Sequence, residues 1–329
     1  MRSGLRALGS PLAEPIRYFV AYKRALNRRF DTEEGVLHGV DRYLIEHGVT
    51  DLASVTPTVI EAFMASRPRS SPRSYNQLLG VVRGLFDWMV GQGMIQVSPV
   101  RLRPRRVTAR YIPYLFDLPQ ASRLIEIATA LADGVNAPLR GPTYATIFAL
   151  LYGLGLRVGE VVRLTRADVD LDRQVLIIRQ TKFAKSRLVP FGPRMAERLA
   201  LFLERRERRS GALSPSDLVF SFKSGRPISR NTVSQTFHAL VPRLGLAAQE
   251  GVASPRLHDL RHSFAVGTLL RWYRDGADPA ARLLHLSTFL GHADPVSTAV
   301  YLTITTELMQ AGAERFARFA APLSTGGES

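Results

Sequence analysis

Residues 258–262 read His-Asp-Leu-Arg-His. Upstream stands Gly155-Leu156-Arg157-Val158-Gly159-Glu160, and downstream come Leu290-Gly291-His292 and then Tyr301. Lys182 falls between these two stretches, so two arginines, a lysine, histidines and a phenol are spread from 157 to 301. On a helix, His258 and His262 share one face, four residues apart. Glu160 lies one turn beyond Arg157, where its carboxylate can orient the guanidinium.

Outward from these stretches, apolar spacing predicts helices at 117–132, 142–153, about 193–209, 230–244, 256–274, 280–291 and 295–301. A further amphipathic segment spans 305–320 and carries Leu308, Met309, Phe316 and Phe319. Gln174–Gln180 and Arg187–Phe191 read as two strands, joined by a turn that holds Lys182 and Lys185. Asp168-Val-Asp170-Leu-Asp172 reads as a turn entering the first strand. It starts like a calcium loop, but Arg173 and Arg179 occupy the positions that need glycine and glutamate.

Residues 12–104 read as all-helical, with segments at 12–27, 32–47, 57–66 and 73–91. Thr56-Pro57 supplies a cap followed by proline at the first helical position, and Asp31-Thr32-Glu33-Glu34 gives an acidic first turn. Residues 101–110 hold five arginines and a proline without apolar periodicity, which makes a linker. The expected architecture is mainly α with a small β-sheet. A tail at 1–11 precedes a helical domain at 12–104; a basic linker at 105–110 leads to a mixed α/β domain at 111–322 and a tail at 323–329.

Lysine and arginine outnumber acids 44 to 28, a net charge of +16 over 329 residues. Such a surplus favours a polyanionic partner, because each neutralised phosphate releases counterions. There is no cysteine, which removes thiol nucleophiles and thiolate metal sites together. No signal peptide is visible, and the longest uncharged stretch, 141–156, falls short of a membrane span. The expectation is a soluble cytoplasmic protein associated with the nucleoid, with no membrane partner. His258-Asp-Leu-Arg-His262 lacks the glutamate of a zincin motif, and Arg261 would put a cation beside the metal. Gly153-x-Gly155 has the wrong spacing for a dinucleotide fingerprint, and no phosphate-binding glycine loop is present. No metal and no cofactor are expected.

Residues 111–320 resemble the catalytic domain of the tyrosine recombinase, or phage integrase, family. Residues 12–104 resemble its helical core-binding domain, through Ser71-Pro-Arg-Ser-Tyr-Asn-Gln-Leu-Leu79, Leu85-Phe86, Trp88 and Ser98-Pro99. The resemblance covers nearly the whole chain, and its C-terminal set, in order and spacing, is specific. It implies a DNA strand-exchange enzyme with a 3′-phosphotyrosine intermediate.

In that reading Tyr301 is the nucleophile. A free phenol with a pKa near ~10 is only roughly 0.1% ionised at neutral pH, so cations and a base must assist it. Arg157 and Arg261 hold the non-bridging phosphate oxygens, for which a planar, always charged fork is suited. Lys182 protonates the departing 5′-oxygen, His258 serves as general acid/base, and His292 bonds the phosphate or seats the nucleophile. Glu160 and His262 are supports. Arg67, Arg69 and Arg73 before the fourth helix, and Arg101, Arg103, Arg105, Arg106 and Arg110 of the linker, are expected DNA contacts.

The resemblance further implies double-stranded DNA held by both domains, a tetramer on paired sites, and residues 305–320 docked on a neighbouring subunit. Integration, excision or transposition of a mobile element follows as the role. The alternatives are relaxation of DNA by the same chemistry, as in type IB topoisomerases, or a non-catalytic DNA-binding regulator on this scaffold. One departure is the stretch from Arg261 to His292, longer than in compact members, with the excess around Trp272–Leu286.

Overall fold

The computed structural model describes residues 7–26, 28, 30–107, 112–179, 186–222, 225–247, 252, 254–291 and 298–302. The chain divides into two compact units, Met1–Arg110 and Tyr111–Ser329.

Among its described residues the first unit has four helices: α1 (Ala13–Ala25), α2 (Asp31–Glu46), α3 (Pro57–Ala65) and α4 (Pro72–Gly91). Local chemistry sets their starts. Thr56 accepts a bond from the Val59 N–H at 3.4 Å and Ser71 from the Ser74 N–H at 3.2 Å, each with proline next in the chain. Tyr75, Leu78, Leu79, Val82, Leu85, Phe86 and Met89 form the buried stripe of α4. Its spacing of three and four residues keeps one face inward, against Phe19, Leu37, Leu44 and Phe63.

The arginine-rich stretch after α4 lies along that helix without forming one. Asn76 donates to the Arg105 carbonyl at 2.8 Å and accepts the Arg105 N–H at 2.7 Å. The Arg105 guanidinium sits 3.9 Å from the centre of the Tyr75 ring.

The second unit is built on α6 (Arg140–Gly153), which is buried nearly all round from Gly141 to Leu151. Packed about it are α5 (Leu118–Thr129), α8 (Pro193–Ser210) and α10 (Asp259–Arg274). A methyl at Gly141 would lie 2.2 Å from the Thr129 carbonyl oxygen, so the crossing of α5 and α6 depends on its absence. The remaining described helices are α7 (Val158–Val161), α9 (Arg230–Leu240) and α11 (Leu283–Leu290). A helical stretch follows at 298–302.

The sheet has three antiparallel strands in the order β1 (Val169–Asp170), β2 (Val175–Ile178), β3 (Arg187–Pro190), with Leu176 opposite Val189. Leu176, Ile178 and Val189 enter the core, as alternation requires. Two sequence expectations are corrected here. The aspartate stretch does more than turn: Val169–Asp170 forms a short edge strand. Gln174 is not in a strand, because its φ of 53° places it in the left-handed turn between β1 and β2. The fold is thus mainly α with one small sheet. No described helix is long and apolar enough to cross a membrane.

Candidate active site

Three chain segments converge beside the end of α11. Gly155 turns the chain after α6 with φ 59°, and a Cβ there would meet Phe264 at 2.4 Å and Leu290 at 2.9 Å. Only glycine fits both demands, and the turn delivers Arg157 to the start of α7. Arg261 and His262 lie in the first turn of α10, which begins at Asp259.

The two arginines share an anchor. Arg157 donates to the Leu290 carbonyl at 3.3 Å and to the Gly291 carbonyl at 2.9 Å. Arg261 donates to the Gly155 carbonyl at 2.5 Å and to the Leu290 carbonyl at 2.8 Å. The Leu290 and Gly291 carbonyls form the C-terminal end of α11, where peptide dipoles favour cations. Arg261 is only 1% exposed. Its Nε has no acceptor among the described residues. Burial, then the Arg157 charge, pulls its pKa down to about 9, which still leaves a cation at neutral pH.

Glu160 ties this arrangement to the sheet. It accepts from the Arg157 N–H at 2.9 Å, from Arg157 Nη1 at 3.0 Å and from Arg187 Nη1 and Nη2, each at 3.0 Å. Arg187 Nε also donates to the Phe289 carbonyl at 2.8 Å. Burial alone would raise the Glu160 pKa; hydrogen bonding and charge from Arg187, then from Arg157, outweigh it and hold it at about 2.

Tyr301 is 4% exposed and packs among Ala265, Val266, Leu269, Leu286 and Leu290. Its hydroxyl lies 2.8 Å from His262 Nδ1. Burial raises the phenol pKa, opposed by the charges of Arg261 and Arg157. His258 stands just before α10 and sets its ring 4.7 Å from that of His262, at 90°. Desolvation, then the charges of His262 and Arg261, pushes the His258 pKa down to about 4. An ordinary imidazole value is therefore not what the folded protein gives it, and at neutral pH His258 is uncharged.

The phage integrase family model matches residues 119–307. The chain belongs to the phage integrase family. The Sinorhizobium fredii protein y4rB, named as an integrase/recombinase, is 35% identical over 306 residues, covering 90% of this chain and 97% of its own. Two solved structures share the fold. One is the XerH site-specific recombinase bound to a palindromic difH substrate, at TM-score 0.64 and 15% identity, covering 95% of this chain and 99% of that one. The other is a lambda integrase tetramer bound to a Holliday junction, at TM-score 0.60 and 16% identity, covering 88% and 80%. Members of this family are DNA strand-transferring enzymes.

In this integrase-family chain, Arg157, Glu160, His258, Arg261, His262 and Tyr301 form one cluster. Lys182, His292, Arg110 and residues 305–320 lie outside the described residues. Arg67, Arg69, Arg73, Arg101, Arg103, Arg105 and Arg106 are exposed on the first unit. The lengthened path after Arg261 is taken up by α10 running to Arg274 and by residues 275–282 before α11.

Sequence reasoning missed Arg187, which read only as the start of a strand. Its signal was indirect: a buried acid beside Arg157 calls for a second cation, and β3 is one of the elements that start with an arginine. It also gave His262 no contact with the phenol, because the spacing of 39 residues carries no geometric information.

Proposed function

We propose that this chain is a site-specific DNA recombinase. In this reading it cuts and rejoins duplex DNA through a 3′-phosphotyrosine formed by Tyr301, and serves integration, excision or transposition of a mobile element. The observation that carries it is the shared anchor of Arg157 and Arg261 on the Leu290 carbonyl, in the same cluster as Tyr301. Two guanidiniums fixed this way, one of them buried, are pre-organised for a phosphate whose charge grows in the transition state.

Each residue then has a task. Arg157 and Arg261 hold the non-bridging oxygens. Neutral His258 donates a hydrogen bond to the phosphate, and the incoming anion restores some of its basicity. Lys182 protonates the 5′-oxygen, and His292 bonds the phosphate or seats the nucleophile. Residues 12–104 and 111–322 act as core-binding and catalytic domains on DNA, joined by the basic linker at 105–110. The exposed arginines at 67, 69, 73, 101, 103, 105 and 106, together with Arg110, track the backbone. The solved XerH and lambda integrase complexes support a DNA partner, and the lambda tetramer supports a tetrameric synapse.

Denaturing electrophoresis after incubation with nicked candidate sites tests the reading. Wild type leaves a protein–DNA adduct stable to detergent, and Tyr301→Phe binds the same DNA but leaves none. An adduct that persists in Tyr301→Phe places the nucleophile elsewhere. Plasmid relaxation without exchange of sites would instead assign the topoisomerase activity.

A further inference from the structure

We propose that His262 is the proton acceptor for Tyr301: its Nδ1, 2.8 Å from the phenolic oxygen, takes the proton as the tyrosine attacks and returns it when the strand is rejoined. The inference rests on Tyr301 being the nucleophile, and it moves His262 from a support to a residue that touches a reacting atom.

The geometry suits transfer. The two rings lie 5.5 Å apart between centroids and are tilted by 57°, so they meet nitrogen to oxygen rather than face to face. The perpendicular His258 ring braces the imidazole from the same helix face. With Tyr301 buried, bulk water has little access to its proton, and the phenol needs an acceptor within hydrogen-bond reach. Among the described residues, the charged and titratable groups near the pair include His258 just before α10, Asp259 and Arg261 within it, and Arg157 just before α7. The two arginines favour the phenolate over the phenol, so the charge that develops on Tyr301 as its proton leaves is stabilised in place.

The step balances. In cleavage the phenol proton moves to Nδ1, the Tyr301 oxygen–phosphorus bond forms, and the phosphorus–5′-oxygen bond breaks as that oxygen takes the Lys182 proton. In rejoining, a 5′-hydroxyl attacks phosphorus and returns its proton to the lysine, while the His262 imidazolium protonates the departing phenolate.

The test is single-turnover adduct formation by the full chain on a nicked site that wild type cleaves, from pH 5 to 9. It is run with an ordinary phosphate and with a 5′-bridging phosphorothiolate, whose sulfur leaves without an acid. His262→Asn should bind DNA normally yet react about 10²–10⁴-fold more slowly on both substrates. Its rate should go on rising with pH where wild type has levelled. A more acidic fluorinated tyrosine at position 301 should restore much of the loss. His262→Gln serves in the same way should the asparagine variant not fold, folding being checked by thermal melting. Wild-type rate and pH profile in either folded variant overturns the proposal, as does full rescue by the phosphorothiolate, which would place His262 at the leaving group. An adduct in Tyr301→Phe would instead sink the nucleophile assignment beneath it.

Discussion

Arg187 grips Glu160 through both terminal nitrogens at 3.0 Å, reaching across 27 residues from the first position of β3. Through that carboxylate the sheet is tied to Arg157, and through its own Nε to the end of α11. The side chains of Arg187 and Glu160 are 9% and 3% exposed, so water cannot replace a missing partner. Arg187→Ala should therefore destabilise the protein by about 3–5 kcal/mol, the range for breaking a buried ion pair. Urea unfolding measures this. Arg187→Lys should recover only part, since an ammonium cannot make the bidentate contact.

The same pair sets an acid limit on stability. The Glu160 pKa is held at about 2 in the folded state against an ordinary 4.5, so the unfolded chain takes up the proton first. The contribution is complete above about pH 4.5 and is lost as pH falls toward 2. It amounts to something on the order of 3 kcal/mol. Unfolding free energies of wild type and Glu160→Gln, compared across that window, should converge at the acid end.

His258 works in a higher window. Its pKa of about 4 lies below the ordinary 6.5, so here too the unfolded chain binds the proton first. The stability it contributes is present above pH 6.5 and declines as pH falls toward 4. Its proton-resonance titration should show a midpoint near 4 in the free protein, moving upward when a DNA phosphate occupies the site.

Gly155→Ala should damage the site without removing a functional group. A Cβ at Gly155 is strained by φ 59° and pushes on Phe264 and Leu290, the residue whose carbonyl anchors both arginines. A loss of about 1–3 kcal/mol is expected, with adduct formation reduced more than DNA binding.

Arg157→Ala and Arg261→Ala should each lower the adduct-forming rate by about 10²–10³-fold, as for removal of one preorganised donor to a developing oxyanion. Gel-shift affinity should change far less. The Arg261 variant should also lose stability, because its side chain fills a fully buried position between Gly155 and Leu290.

Much of this was legible in the chain. Helical spacing located the α4 stripe from Tyr75 to Met89, and Thr56 marked the start of α3, because capping and amphipathicity act over three or four residues. The link from Arg157 to Glu160 was likewise readable, being one turn long. Gln174 and the strand at Val169 were misread: a left-handed turn at a non-glycine residue and a two-residue edge strand leave little pattern in sequence.

The sequence by itself determined the two-part helical organisation, the family, and which side chains are candidates for phosphate chemistry. All of these depend on residue type and short-range order. The tertiary structure alone decided that Arg187 completes the Glu160 network, that Leu290 anchors both arginines, and that His262 meets the Tyr301 hydroxyl. Such contacts span 27 to 133 residues, and nothing in local propensity encodes them. They exist because packing α10 on α6 and α11 on β3 around the Gly155 turn buries these polar groups, and burial without a hydrogen bond exacts a penalty.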